Sequence, residues 1–353
     1  MKIAHFVFYG PKRSGLYETT RELCKGEMDL GHDARLIDTS WCQEKTPRPD
    51  ISKLDRGVEV APVDWGFEAD VHVLHSMIPP ELYGKKPIVV VCHGAPEYVF
   101  YSELLLNKEG DRGFSTLLAY GREPDKVNKF VTMWPRHLPF WRAVFGDKRV
   151  EYVPACADFQ DYKPEGPLHP FKMDGCPNIG FCDTWRPTFF KDPYQIIVGV
   201  REYWKRAPEA RLQMFAIPSG AKRDVVWDRY IKAIQAQGNF LGEIWELHPK
   251  MDTVFRALDM IVTTTVDASR VIRECLACGT PVIAPTGCPY TDYTADLGNP
   301  AAVADCIQRC MEDLERDAEE VKQKCTETAR KHFSLADTAE RLIKIYEDVL
   351  RKE

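Results

Sequence analysis

Arg186 and Lys191 lie five apart in the run Asp183-Thr184-Trp185-Arg186-Pro187-Thr188-Phe189-Phe190-Lys191-Asp192. That run follows a strand-like stretch, and open α/β sheets bind ligands at the carboxyl ends of their strands. A guanidinium fork and an ammonium point charge at this spacing could both reach a diphosphate, or could be two surface cations. Glu274 sits among Val271, Ile272, Leu276 and Ala277. Its carboxylate could accept a pair of hydroxyls, or could pair with Arg270 four residues earlier. His93-Gly94 closes an apolar run. An imidazole there points toward a cleft between two halves, or is a hydrogen-bonded structural histidine; His72 and His75 read as structural. Last is the turn Tyr9-Gly10-Pro11-Lys12-Arg13-Ser14-Gly15-Leu16-Tyr17-Glu18, with a helix beginning near Ser14 or Gly15. The free N–H groups of a helix start suit a phosphate or carboxylate, and Gly15 would admit a ligand close to the backbone. The turn lacks the G-x-G-x-x-G spacing, so it speaks little for a nicotinamide cofactor. An ordinary strand-to-helix turn is the alternative.

Two series of apolar runs must position these residues. The first is Ile3–Phe8, Ala34–Asp38, Val71–His75, Ile88–Val91 and Phe130–Met133; the second is Asn178–Cys182, Leu212–Ala216, Asn239–Leu241, Met260–Thr263 and Val282–Ala284. Nearly continuous Val, Ile and Phe marks strands buried on both faces of a parallel sheet. Helical stretches such as Leu16–Leu30 and Tyr194–Arg206 alternate with them, which predicts two parallel α/β units. Pro154, Pro164, Gly166, Pro167 and Pro170 interrupt helix and sheet alike and place the connection between Val153 and Pro170. Ser269 is placed to cap a helix that Gly279 and Pro281 stop. Ser334 with Asp337 resembles a capping box, and Leu342, Ile345, Tyr346 and Val349 continue as one apolar face.

With 353 residues, the chain is long enough for two cores. A net charge of −6 excludes a chain-wide basic surface for polyphosphate, though not a local basic groove. No apolar run is long enough to span a membrane, and the N-terminal run is too short for a signal peptide. The 12 cysteines are spread along the chain, as expected of reduced thiols in a cytoplasmic protein. Cys275-x-x-Cys278 and Cys306-x-x-x-Cys310 lack the partner pair a zinc site needs. A redox role for Cys275 and Cys278 competes with their use as small buried apolar residues.

Together these segments resemble the retaining, family-4-like glycosyltransferases of the GT-B fold (glycosyl transferases group 1). Glu274-Cys275-Leu276-Ala277-Cys278-Gly279-Thr280-Pro281-Val282-Ile283-Ala284 is similar to that family's E-A-x-A-x-G-x-P-V-I-A run, and Arg186 and Lys191 keep the spacing of its diphosphate-binding pair. Gly242-Glu243-Ile244, Leu258-Asp259-Met260-Ile261-Val262 and Ala329-Arg330-Lys331-His332-Phe333-Ser334 resemble its flanking segments. In the first half Ser14-Gly15 with Glu18, Gly31-His32, His93-Gly94 and Val153-Pro154-Ala155-Cys156-Ala157-Asp158 fall in the family's order. One departure stands out. Val266 occupies the place of the family's first glutamate, with Asp267 one residue later and no glycine in Asp267-Ala268-Ser269-Arg270.

The resemblance implies two Rossmann-like parallel-sheet domains facing across a cleft. Residues 1–155 would form an acceptor-side domain with the helix 334–353 packed back on it, and 156–333 a nucleotide-sugar donor domain. It implies transfer of a sugar, from a UDP-sugar by preference, with retention of configuration by same-face attack. Arg186 and Lys191 would hold the diphosphate and offset its charge. Glu274 would bind the ribose, Gly15 would approach the diphosphate or sugar, and His93 would sit beside the donor sugar. Asp267, Ser269 and Arg270 complete the expected donor site. Asp267 replaces the missing glutamate, or the donor sugar is unusual, or transfer is lost. No Asp-x-Asp occurs, in line with metal-independent chemistry, and no cofactor is expected, the nucleotide-sugar being a substrate. The acceptor is a saccharide or small molecule, or a hydroxymethylated base in DNA, for which Lys12, Arg13, Tyr17 and Trp141 could supply contacts. Further alternatives are an epimerase or hydrolase, or an inactive nucleotide-binding homologue.

Overall fold

The computed structural model describes residues 1–8, 15–41, 52–75, 79–82, 85, 87–93, 96, 124–172, 174–182, 193–217, 242–246 and 250–352. The chain divides into two compact units: residues 1–156 with 333–353, and residues 157–332. Both are built on parallel sheets, as the alternating apolar runs predict.

The first unit's strands are β1 (Lys2–Val7), β2 (Asp33–Asp38), β3 (Lys53–Asp55), β4 (Val58–Ala61), β5 (Val71–Leu74), β6 (Ile88–Cys92), β7 (Lys129–Thr132) and β8 (Val150–Tyr152). They lie in the order β3-β4-β2-β1-β5-β6-β7-β8. Among the described strands, only β3 and β4 pair antiparallel, through a tight turn at Arg56 and Gly57. Both turn residues have positive φ, 48° and 83°, as a two-residue hairpin turn demands. Strands β3, β4 and β8 are short and partly polar, so no continuous apolar run announces them.

Strand residues alternate between sheet faces. Ala4 and Phe6 pack with Ile37, Val63, Leu74 and Val90 on one side of the first sheet. Helices α2 (Val63–Phe67) and α3 (Leu138–Phe145) cover that face. Ile3, His5 and Val7 point the other way, toward α1 (Gly15–Asp29). The late helix α8 (Leu335–Leu350) packs on α1 at Gly26, where even a Cβ would come within 3.1 Å of Leu335 and Ala339. Ser334 caps α8 by accepting from the Asp337 N–H, and Thr338 donates to the carbonyl of Pro154.

In the second unit β9 (Asn178–Cys182), β10 (Arg211–Ile217), β11 (Gly242–Glu246), β12 (Met260–Val262), β13 (Val282–Pro285) and β14 (Thr294–Ala295) form an all-parallel sheet. Its order is β11-β10-β9-β12-β13-β14. The expected strand at 239–241 lies outside the described residues; β11 is observed from Gly242. Helices α4 (Pro193–Trp204) and α7 (Pro300–His332, broken at Asp317) pack Ile196, Ile197, Val200, Val303 and Ile307 on Ile179 and Phe181 of β9. Helices α5 (Met251–Ala257) and α6 (Arg270–Ala277) flank β12 along the chain.

Candidate functional site

The second unit brings several predicted side chains onto one turn and helix, whereas in the first unit His93 joins residues that the sequence did not single out as site residues. In the second unit the segment after β12 is a staircase of short turns. The Thr263 Oγ1 accepts from the Thr265 N–H at 3.4 Å, and the Thr265 Oγ1 accepts from the Asp267 N–H at 3.2 Å. The Asp267 carbonyl then accepts from the Ser269 N–H at 2.6 Å. Hydroxyl side chains make such local bonds readily, which is why three threonines and a serine end in a helix start rather than another strand. Ser269 is the N-cap of α6 and accepts from the Ile272 N–H at 3.4 Å. Gly279, at φ 79°, turns the chain out of the helix, while the Thr280 hydroxyl donates to the Phe255 carbonyl. Strand β13 follows at once.

Within α6, Arg270 and Glu274 form the i, i+4 ion pair, the guanidinium gripping Oε1 of the carboxylate. Arg270 also donates to the Tyr162 hydroxyl at 3.2 Å. Glu274 is buried, and so is Asp267. A buried carboxylate must be paired, and Arg270 does this for Glu274. Asp267, Ser269, Arg270 and Glu274 thus belong to one turn-and-helix unit. Arg186 and Lys191 lie outside the described residues, as do Lys12 and Arg13. Cys275 and Cys278 are buried, and burial pushes both thiols well up. Buried thiols held in this way suit the packing of small apolar residues in the core.

In the first unit Gly15 is the exposed first residue of α1. His93 follows the last residue of β6 and is half-buried. Its Nε2 lies 2.7 Å from Nδ1 of His75. His75 follows β5 directly and hydrogen-bonds its own N–H to the Phe6 carbonyl of β1. Its Nε2 lies 2.9 Å from Nδ1 of His5, and Nε2 of His5 lies 2.6 Å from Oε2 of Glu27 on α1. The Tyr346 hydroxyl, on α8, donates to Oε1 of Glu27 at 3.0 Å. His5 and Glu27 are wholly buried, and His75 nearly so. Burial, then the neighbouring His93 and His5, hold the His75 ring neutral well below the usual histidine range. Burial, then Glu27, push the Tyr346 phenol well up.

Two expected contact residues are corrected. Trp141 is fully buried on α3, stacked on Phe145 at 5.4 Å between ring centroids. Tyr17 is buried too, its hydroxyl donating to Asp55 at 2.6 Å and tying α1 to β3. Both side chains pack in the first unit's core. In the other direction, residue spacing does not reveal His5, His75, Glu27 or Tyr346 as partners of His93. The available signal is a lone imidazole in the apolar run Ile3-Ala4-His5-Phe6-Val7, where a charge-capable ring needs a buried partner.

No family model matches the chain, and no curated protein matches it. Solved structures do match, over nearly the whole length of both chains. HepE of Anabaena in complex with UDP-glucose is 15% identical, covering 99% of this chain and 100% of its own, with a TM-score of 0.71. Sucrose-phosphate synthase from Thermosynechococcus elongatus is 13% identical with complete coverage of both chains and a TM-score of 0.73. A glycosyltransferase from Rickettsia africae is 15% identical, covering 100% and 99%, with a TM-score of 0.66. At these identities the likeness is one of fold: the chain has the two-sheet GT-B architecture. Among the described residues, no helix is long and apolar enough to cross a membrane.

Proposed function

We propose that the protein is a cytoplasmic, metal-independent glycosyltransferase that moves a sugar from a nucleotide-sugar, a UDP-sugar by preference, to a saccharide or small-molecule acceptor with retention of configuration. The observation that carries this is the helix start Ser269–Glu274, reached from parallel strand β12 through the turns at 263–268, in a chain whose fold matches HepE, itself solved with UDP-glucose, from end to end. Residues 157–332 would bind the donor, and 1–156 with 333–353 the acceptor.

In this proposal Glu274 accepts the ribose hydroxyls. A carboxylate offers about four acceptor positions, and Arg270 orients this one through Oε1. Arg186 and Lys191 take the diphosphate, whose leaving charge they offset as the glycosidic bond breaks. Asp267 takes a sugar hydroxyl in place of the glutamate absent at Val266. Gly15 lets the diphosphate or sugar approach the start of α1, and His93 stands beside the donor sugar.

A thermal-shift panel with UDP, GDP, ADP and CMP tests the donor. Saturation at 100 times Kd stabilises the folded protein by about 2.7 kcal/mol, a shift of several degrees. UDP is expected to give that shift, and Arg186→Ala and Glu274→Ala to abolish it. Unchanged nucleotide affinity in both variants overturns the donor assignment. A shift without sugar release to any acceptor would favour a nucleotide-binding homologue, and release to water a hydrolase.

A further inference from the structure

A continuous row of hydrogen bonds crosses the first unit from α8 to the end of β6: Tyr346, Glu27, His5, His75, His93. The sheet order makes it. Strand β1 is flanked by β2 and β5, and β5 by β6, so residue 5 of β1 and residues 75 and 93, just past β5 and β6, come side by side. The ring centroids lie 5.1 Å apart for His5 and His75 and 5.0 Å for His75 and His93, as expected of imidazoles joined edge to edge through their nitrogens.

A neutral imidazole has one donor and one acceptor nitrogen. If every bond in the row is made, the direction of one fixes the direction of all. With Glu27 ionised, His5 donates from Nε2, so its Nδ1 must accept from Nε2 of His75. Nδ1 of His75 must then accept from Nε2 of His93. A neutral His93 in that row carries its proton on Nε2 and has Nδ1 as an acceptor. One added proton makes His93 an imidazolium. The same proton can instead be stored at the other end: the Nε2 proton of His93 moves to Nδ1 of His75, the Nε2 proton of His75 to Nδ1 of His5, and the Nε2 proton of His5 to Oε2 of Glu27. Each ring keeps one proton and changes tautomer, and a carboxylic acid replaces the imidazolium.

We propose that Glu27, His5 and His75 form a proton relay that sets the tautomer and charge of His93, with Glu27 as the buried proton store. The three are positioning residues for His93, and Tyr346 tunes the store by donating to the ionised carboxylate. Among the described residues, Tyr346 and the Cys24 thiol both feel the Glu27 charge, and burial pushes both up. Against His75 stand only His5 and His93 among the groups that shift it. The coupling itself needs no assumption about the reaction; its use at a donor sugar rests on the proposed transfer activity.

Long-range 1H–15N spectra of the full chain, labelled at histidine, read the tautomer and pKa of each ring directly. In the native protein above pH 8, His5, His75 and His93 are expected as Nε2–H tautomers. Glu27→Gln should lower the His93 pKa, by removing the negative charge at the far end of the row, and move His93 toward the Nδ1–H form. Tyr346→Phe should raise the pKa, since the carboxylate loses a donor that favours its charged form. Opposite signs from two substitutions on one buried group are not the mark of general loosening. With His75→Phe in the background, Glu27→Gln should leave His93 unmoved. An identical His93 titration in the native protein, Glu27→Gln and Tyr346→Phe overturns the relay, as does a bare Nε2 on native His93 above pH 8. The readout is independent of sugar transfer, so loss of UDP binding would sink the proposed function and leave the relay standing, and the reverse.

Discussion

Strands β1 and β9 hold equivalent places in their sheets: each opens its unit, each is flanked on both sides, and each faces the helix that follows it. In the second unit the helix-facing row is Ile179 and Phe181, pressed on Ile196, Ile197 and Val200. In the first unit the matching row is Ile3, His5 and Val7, and His5 meets a carboxylate on the helix. One architecture therefore tolerates two solutions at the same spot. The apolar one contributes hydrophobic free energy and no chemistry. The polar one gives up some of that stabilisation for a row of oriented protons, stable only because each member has its partner.

Breaking the polar row should produce the largest effect. His5→Phe leaves Glu27 without its imidazole and should cost about 3–5 kcal/mol, read as lost hydrogen-exchange protection in β1. Adding Glu27→Leu should recover most of that loss, because a buried polar set replaced whole by apolar groups is often neutral or stabilising. If the double variant is no better than the single one, packing and not charge pairing dominates here. Tyr346→Phe should come next, at about 1–3 kcal/mol, for the acceptor left short at Glu27. The pH dependence has a definite sign. His75 is held neutral in the fold, while in the unfolded chain it takes up a proton below about pH 6.5. Stability should be full above that pH and fall as the solution is acidified, by up to about 1.4 kcal/mol per pH unit, and His75→Phe should flatten this slope. The smallest effect belongs to the second unit. Ser269→Ala removes a cap bond that is already long at 3.4 Å and should cost about 0.5–1 kcal/mol, read as faster exchange in the first turn of α6.

The same comparison explains what could be read from residue order alone. Helix α6 is a local object: Ser269, Arg270, Glu274 and Gly279 fall within three turns, so capping, pairing and termination rules find each of them. Continuous apolar runs likewise located β1, β2, β5, β6, β7, β9 and β12, because two-sided burial leaves that mark on a parallel strand. Strand β14 shows only Thr294 and Ala295 and left no such mark. The histidine row is nonlocal. Residues 5, 27, 75, 93 and 346 meet only through strand order and a helix that arrives from the other end of the chain. Tyr17 and Trp141 misled for a related reason. An aromatic near cations looks like a contact residue until its burial is known, and both are core residues.

Helix α8 belongs to the first unit, yet the whole second unit is translated before it. At ribosomal rates of about 5–20 residues per second, roughly ten seconds or more separate completion of β8 from the arrival of Tyr346. Through that interval Glu27 lacks its phenol, and the cleft over Gly26 lacks Leu335 and Ala339. The first unit is thus completed only by a helix made last, joining residues that lie far apart in the sequence. A permuted gene, with 333–353 encoded ahead of Met1, would let that unit mature without waiting.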